Sequence, residues 1–427
     1  MIEWYDWFVY STFSVYFASA FFPEGNATAQ LLNTALIFAV GFFMRPVGGW
    51  LLGRLGDRKG RKAALTTTVT LMSLSAILIA VAPTYDQVGY FGAAVLLIAR
   101  LLQGLSVGGE YAASATYLTE ASAPGKRGFF SSFQMVSMKI GQLVGLGMQI
   151  GLQHTMSDAT LSSWGWRIPF VVGAVGAAGI YWLRRNLLET EAYEELDGDP
   201  ATRAKRGTLR GLLDYKREVL LIIAFSMGGT LCDYTYSTYM TKYLSNTAGL
   251  TKDTAALVSF CALVVFMLLQ PLAGGLSDRI GRRPLLIAFG VSAMFGTVPL
   301  MTALGHVSSF GGAFVLMLTG LVIITGYTSI SAVVKVEMFP AHIRALGVAL
   351  PYALANALFG GTAEYVALWF KNAGMESGFY WYVTACVAIS LVVFVSMRET
   401  RDAVFFRDGS TDTATAGTGI QQAGATA

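Results

Sequence analysis

One ten-residue turn occurs twice in this chain. Residues 53–62 read Gly-Arg-Leu-Gly-Asp-Arg-Lys-Gly-Arg-Lys, and residues 274–283 read Gly-Gly-Leu-Ser-Asp-Arg-Ile-Gly-Arg-Arg. Each copy follows the second long apolar segment of its half, and the two lie about half the chain apart. Such a repeat points to two related halves. Asp57 and Asp278 stand where a carboxylate can pair with a basic group or cap a helix N-terminus. The basic residues after them do not cross a bilayer cheaply and mark one side of it. The glycines permit a short connection and close helix approach. A turn used twice in matching places suits a gate. The first copy offers Gly53, Asp57, Arg58, Gly60 and Arg61; the second offers Asp278, Arg279, Gly281 and Arg282.

Around these turns lie twelve apolar stretches of about 20 residues, the length a bilayer core requires. They fall near 4–22, 33–53, 63–83, 91–112, 128–151, 166–184, 218–243, 254–275, 284–304, 310–334, 345–370 and 377–397. The even-numbered connections hold most of the basic residues, including Lys126, Arg127 and the run from Lys335 to Arg344. The opposite side has few, among them Lys242, Lys252 and Lys371. This asymmetry predicts both termini on the cytoplasmic side. The expected division is a six-helix half over 1–184, a cytoplasmic linker over 185–217, a second six-helix half over 218–398, and a disordered cytoplasmic tail over 399–427. A second echo links Glu120 and Arg127 to Glu337 and Arg344, which join the gating set. The chain is 54% hydrophobic and only 13% charged, which excludes an ordinary soluble domain. A net charge of +4 is no nucleic-acid footprint, because the basic residues sit in turns beside apolar spans. Cys232, Cys261 and Cys386 lie in apolar segments and read as buried thiols. His154, His306 and His342 read as loop or helix-end residues, not as a metal site.

Several further stretches carry a family likeness: Glu3-Trp-Tyr-Asp6-Trp, Met44-Arg45-Pro46, Arg100-Leu-Leu-Gln103-Gly104, Gly108-Gly-Glu110, Trp164-Gly-Trp-Arg167-Ile-Pro169 and Glu337-Met-Phe-Pro340. Together with the doubled turn, the chain resembles the major facilitator superfamily and, within it, the metabolite:proton symporters. The resemblance implies an all-α membrane protein of twelve transmembrane helices in two six-helix halves. It implies alternating access by rocking of those halves, and proton-coupled uptake of a small dicarboxylate such as 2-oxoglutarate across the cell membrane. Neighbouring members of the family carry citrate, shikimate-like acids or zwitterionic osmolytes such as proline and betaine. A membrane sensor that kept the fold without transporting is the rival from another class. No nucleotide loop, catalytic triad or metal cluster is visible in the sequence, so neither an enzyme nor an ATP-driven pump is expected, and no cofactor beyond the coupling proton. A monomer in the bilayer, with no nucleic-acid partner, is expected. Relatives normally have a polar segment ahead of the Glu-Trp-Tyr-Asp stretch; a chain beginning there suggests a late start or a trimmed N-terminus.

Ionisable residues within spans are costly and are functional candidates by default. Arg45 and Arg100, with Gln103 one turn on, are expected to hold two carboxylates; the alternative is that each pairs with a protein carboxylate and fixes packing. Glu3, Asp6 and Tyr10 share one helix face. An acid there can carry the coupled proton, or can be an acid drawn to a helix N-terminus. Glu110 is expected to latch the first basic turn. Glu364 either carries a proton or satisfies a polar neighbour. Lys139 and Asp233 depart from the pattern that the resemblance implies, in which apolar or aromatic residues are expected there. They form an ion pair between the halves, or instead serve substrate and proton separately. Tyr234 and Tyr327, with Asn356 and Gln134, offer polar groups for orienting a ligand.

Overall fold

The computed structural model describes residues 2–23, 27–59, 61–108, 110–120, 122–123, 125–185, 212, 215–339 and 344–401. Side chains are not described at 2, 53, 54, 56–59, 61–65, 110, 112, 113, 120, 180, 183–185 and 345. The proposed gating roles of Gly53, Asp57, Arg58, Gly60, Arg61, Glu110 and Glu120 therefore lie outside the described residues, as do most of the linker and the tail.

All twelve expected spans are helical. The first six are α1 (Ile2–Phe21), α2 (Ala27–Lys59), α3 (Arg61–Ala80), α4 (Phe91–Val107, continued by Glu110–Glu120), α5 (Arg127–Thr155) and α6 (Ile168–Arg185). The second six are α7 (Lys216–Asp233, a π turn at Tyr234–Tyr239, then Met240–Asn246), α8 (Lys252–Ile280) and α9 (Arg282–Gly305), followed by α10 (Phe310–Thr328 and Ser331–Glu337), α11 (Arg344–Ala355, a π turn at Asn356–Gly360, then Ala363–Asn372) and α12 (Glu376–Ser396). Helices answer the bilayer's demand that every backbone polar group be satisfied within its own segment. Among the described residues, seven helices are long and apolar enough to cross a membrane. α1 falls short of that measure because Glu3, Asp6 and its many Trp and Tyr side chains lower its apolarity.

Why the bundle faces lipid is plain from its surface. Phe295 is 71% exposed and Leu272 68% exposed, both on mid-helix positions. Aqueous solvent would oppose that; hydrocarbon does not. α1 is the reverse case. Trp7, Phe8, Tyr10, Phe13, Tyr16 and Phe17 are all buried, so α1 is apolar around most of its circumference and enclosed by the bundle. Its lower rings meet the short turn Gly165–Arg167 that leads into α6, where Trp166 lies 5.4 Å from both Phe17 and Phe21 between ring centroids.

The two sets of six helices meet along α5 and α8 and along α2 and α11. At the α5–α8 crossing, a Cβ on Gly128 would strike the Gly274 carbonyl and one on Gly274 would strike that of Gly128. Only glycine at both positions allows this approach. α8 and α9 are separated by Gly281 alone, whose φ of +98° is a region L side chains rarely adopt.

Two lysines depart from expectation. Lys242 and Lys335 read as basic residues at the ends of spans, yet they are 2% and 0% exposed. Helices α7 and α10 extend past them, so both ammonium groups lie inside the bundle.

Candidate functional site

Trp7 of α1 forms the centre of a basic cluster. The guanidinium carbons of Arg45 (α2) and Arg100 (α4) each lie 4.1 Å from its ring centroid. Arg45 also stacks at 4.2 Å on Phe42, and Arg100 at 4.5 Å on Tyr10. Rings on guanidinium faces supply attraction without using the in-plane donors. Arg100 donates through Nη1 to Gln103 Oε1, one turn along its own helix. Nε and Nη2 of both arginines, Nε2 of Gln103 and Nε1 of Trp7 are buried without a hydrogen-bond partner. Neither arginine forms an ion pair among the described residues. Asp6, next to Trp7 in α1, lies against Gly173 of α6, fully buried. Both its oxygens lack a hydrogen-bond partner. Glu3, one turn earlier, is only partly buried.

Lys139 and Asp233 meet across the halves, with Nζ and Oδ1 2.9 Å apart. Lys139 also donates to Ser237 Oγ at 2.9 Å and to Gln142 Oε1 at 3.3 Å. Gln142 in turn donates to the Ser237 carbonyl at 2.6 Å. The ammonium has three acceptors and Asp233 has its cation, so the two buried charges answer one another.

A second buried pair closes the end away from the basic turns. Lys242 donates to Glu364, and to Ser11 Oγ of α1 at 3.1 Å; Ser11 donates to the other Glu364 oxygen at 2.8 Å. Glu364 was expected to need a polar neighbour or a proton. Its partner Lys242 escaped sequence reading, although a lone acid in a span is itself a signal to look for a nearby cation.

At the basic-turn end, Asp278 does both things its position suggests. It accepts from the backbone N–H of Gly128 at 2.8 Å and Phe129 at 2.9 Å, capping α5 of the other half. It also pairs with Arg282 at 2.8 Å. Arg282 reaches Glu337 at 3.5 Å, and Thr400 donates to Glu337 at 2.7 Å. Arg344 donates to the Phe339 carbonyl at 3.1 Å. Arg279 is exposed, and its carbonyl accepts from Arg401 at 2.8 Å. Arg127 begins α5 beside this network.

Between the arginine cluster and that end lies a cavity of about 10 Å³, room for roughly one water. Arg45, Tyr111, Tyr352 and Asn356 supply its polar walls. Tyr234 belongs nearby, its ring 5.3 Å from Phe42, with an unpartnered hydroxyl. Gln134 lies beside it too, donating to the Tyr111 carbonyl at 3.1 Å. Tyr327 is placed differently, packed among Phe225, Phe289 and Phe394 within the second half. The described halves touch at both ends, enclosing the cluster.

The sequence matches the Major Facilitator Superfamily over residues 4–363. It is 51% identical over 401 residues to the alpha-ketoglutarate permease of Escherichia coli strain K12, covering 93% of this chain and 91% of that protein. The citrate-proton symporter of Salmonella typhi is 32% identical, with 91% and 89% covered. The proline/betaine transporter of Escherichia coli strain K12 is 31% identical, with 93% and 81% covered. The fold is shared with the crystal structure of a D-xylose-proton symporter at a TM-score of 0.73 and 20% identity, over 94% of this chain and 96% of that one. With this match over most of its length, and with its twelve helices built around a doubled basic turn, the chain belongs to the major facilitator superfamily.

Proposed function

We propose that this chain is a secondary active transporter that takes up a small dicarboxylate together with protons, with 2-oxoglutarate as the first candidate. One observation carries the reading. Arg45 and Arg100 are buried side by side on Trp7 with in-plane donors unanswered by any acid of the described chain. A dianion supplies both missing carboxylates. Gln103 holds Arg100 in place, and Tyr234 and Asn356 face the ligand from the second half. Asp6 carries the proton, because a proton removes the charge from a carboxyl that has no hydrogen-bond partner. Its contact with Gly173 keeps it beside, and not within, the anion's place.

Lys139 and Asp233 act as an ion pair holding the halves in register. That weighs against a zwitterionic substrate, whose two charges would have to break a satisfied pair. Coupling arises if anion and proton together favour the closed arrangement over either open one. In the cell membrane the basic turns face the cytoplasm, both termini lie on that side, and a single chain forms the unit. The six-helix halves move about the enclosed cluster, joined by the linker over 185–217.

The direct test is uptake of labelled 2-oxoglutarate into proteoliposomes of the full chain, with and without an inward proton gradient. Accumulation abolished by an uncoupler is expected. Vesicles that accumulate betaine but not 2-oxoglutarate would overturn the dicarboxylate reading.

A further inference from the structure

Lys335 is a buried cation to which the reading above gives no role. It is fully buried on α10, and no carboxylate pairs with it among the described residues. Its ammonium donates to the Tyr111 hydroxyl at 2.9 Å. It lies 3.6 Å from the Tyr352 ring centroid and 4.9 Å from that of Tyr111. The two tyrosines are stacked on one another at 3.9 Å. A methionine of similar length would pack there without the cost of a buried charge, so the ammonium invites an explanation other than packing.

Its place in the fold supplies one. Tyr111 and Tyr352 also line the small cavity that Arg45 lines. Lys335 stands at those tyrosines, two residues before Glu337, which reaches Arg282 of the basic turn. The order from the centre outward is therefore Trp7 with its arginines, the cavity, the tyrosine pair, Lys335, and the basic turn. Tyr111 belongs to the first half; Tyr352 and Lys335 belong to the second. Parting the halves at this end breaks the ring stack and the hydrogen bond together. The same movement opens the cavity wall and takes from Lys335 its one hydrogen-bond partner among the described residues.

We propose that Lys335 is a second station for the substrate's carboxylate, covered by Tyr111 in the closed arrangement and offered to the anion only when the basic-turn end opens. This rests on the dicarboxylate reading and extends it: the anion passes from Arg45 to Lys335 on its way out of the site. A site that strengthens as the halves part binds the open state better than the closed one, so it draws the cycle forward.

The test compares the full-length parent with K335M, K335R and Y111F. Two quantities are read: affinity of the purified protein for 2-oxoglutarate, by quenching of tryptophan fluorescence, and the initial rate of proton-driven uptake in proteoliposomes. K335M is expected to bind within about threefold of the parent and to transport roughly tenfold or more slowly, the size of a lost charge-assisted contact. K335R is expected to restore most of the rate, because charge and not shape is needed. Should K335M fail to fold, Y111F reads the same station. Freed of its cover, Lys335 competes for the anion in the closed form, so the uptake rate shifts while binding at the arginines persists. K335M at the parent rate overturns the proposal, as does K335R no faster than K335M, or Y111F with an unchanged rate. A parent that carries betaine and no dicarboxylate overturns this proposal and the functional reading together; a parent that carries 2-oxoglutarate as fast as K335M overturns this proposal alone.

Discussion

A guanidinium stacked on an indole keeps its edge free, and for that reason Arg45 and Arg100 suit an anion better than lysines would. The face is occupied by Trp7, and the edge still has two unpartnered nitrogens on each residue. Replacing Arg100 with lysine keeps a positive charge but loses the planar fork. The half-saturating concentration of 2-oxoglutarate is expected to rise by about tenfold or more, from the loss of one arm of a bidentate contact. Initial-rate uptake over a substrate series measures it. Asp6→Asn should separate coupling from binding. Proton-driven accumulation is expected to vanish while exchange of labelled for unlabelled 2-oxoglutarate persists; a variant that still accumulates against a gradient removes Asp6 from the coupling role.

Among the elements, the junction of α8 and α9 is secured from outside itself. Glu399, just past α12, accepts from the backbone N–H of Arg282 at 2.9 Å and Arg283 at 3.0 Å. Partial burial pushes its carboxyl up, but these donors and those of Arg401 and Thr400 outweigh burial and hold it below the ordinary glutamate value of 4.5. A depressed carboxyl contributes stability that is full above 4.5 and fades as pH falls through the lower folded value. Glu399→Gln is therefore expected to melt below the parent at neutral pH, by a small margin for so exposed a group. The gap should close in acid. Melting curves of both proteins across that range check the sign. A gap that widens on acidification would refute it.

At the scale of the molecule, the buried part of the closure at the end away from the basic turns rests on the Lys242–Glu364 pair and the Ser11 hydroxyl. Glu364→Gln leaves Lys242 as a buried ammonium facing a neutral amide. Loss of about 3–5 kcal/mol of stability is expected, as for other broken buried pairs. Adding Lys242→Met should recover much of it, which a double-mutant cycle on melting temperature reads. Much of the architecture was legible beforehand, because spans, basic turns and half-chain echoes are local properties of composition. Lys139 and Asp233 were legible as a pair because each stands alone in an apolar segment and their signs are opposite. Lys242 and Lys335 were not. A lysine near the end of a span looks the same in sequence whether it points to water or inward, and only the packing of α7 and α10 against their neighbours decides. The surroundings of Tyr327 were not legible either: in a helix rich in apolar residues, nothing local says which side chains meet other rings.

The two π turns have a mechanical consequence. Each inserts one surplus residue into a helix and interrupts its i→i−4 ladder, which makes a point where the helix bends. Lys242 lies just beyond the first, at Tyr234–Tyr239, and Glu364 just beyond the second, at Asn356–Gly360. Both partners of the closure are thus mounted on short helical caps, each joined to its stem through such a bend. Such a door opens on its own hinges while the jambs stand still. Amide exchange is expected to be faster over 240–246 and 361–372 than over the stems of α7 and α11, and equal rates would mean that the caps and stems move as one piece.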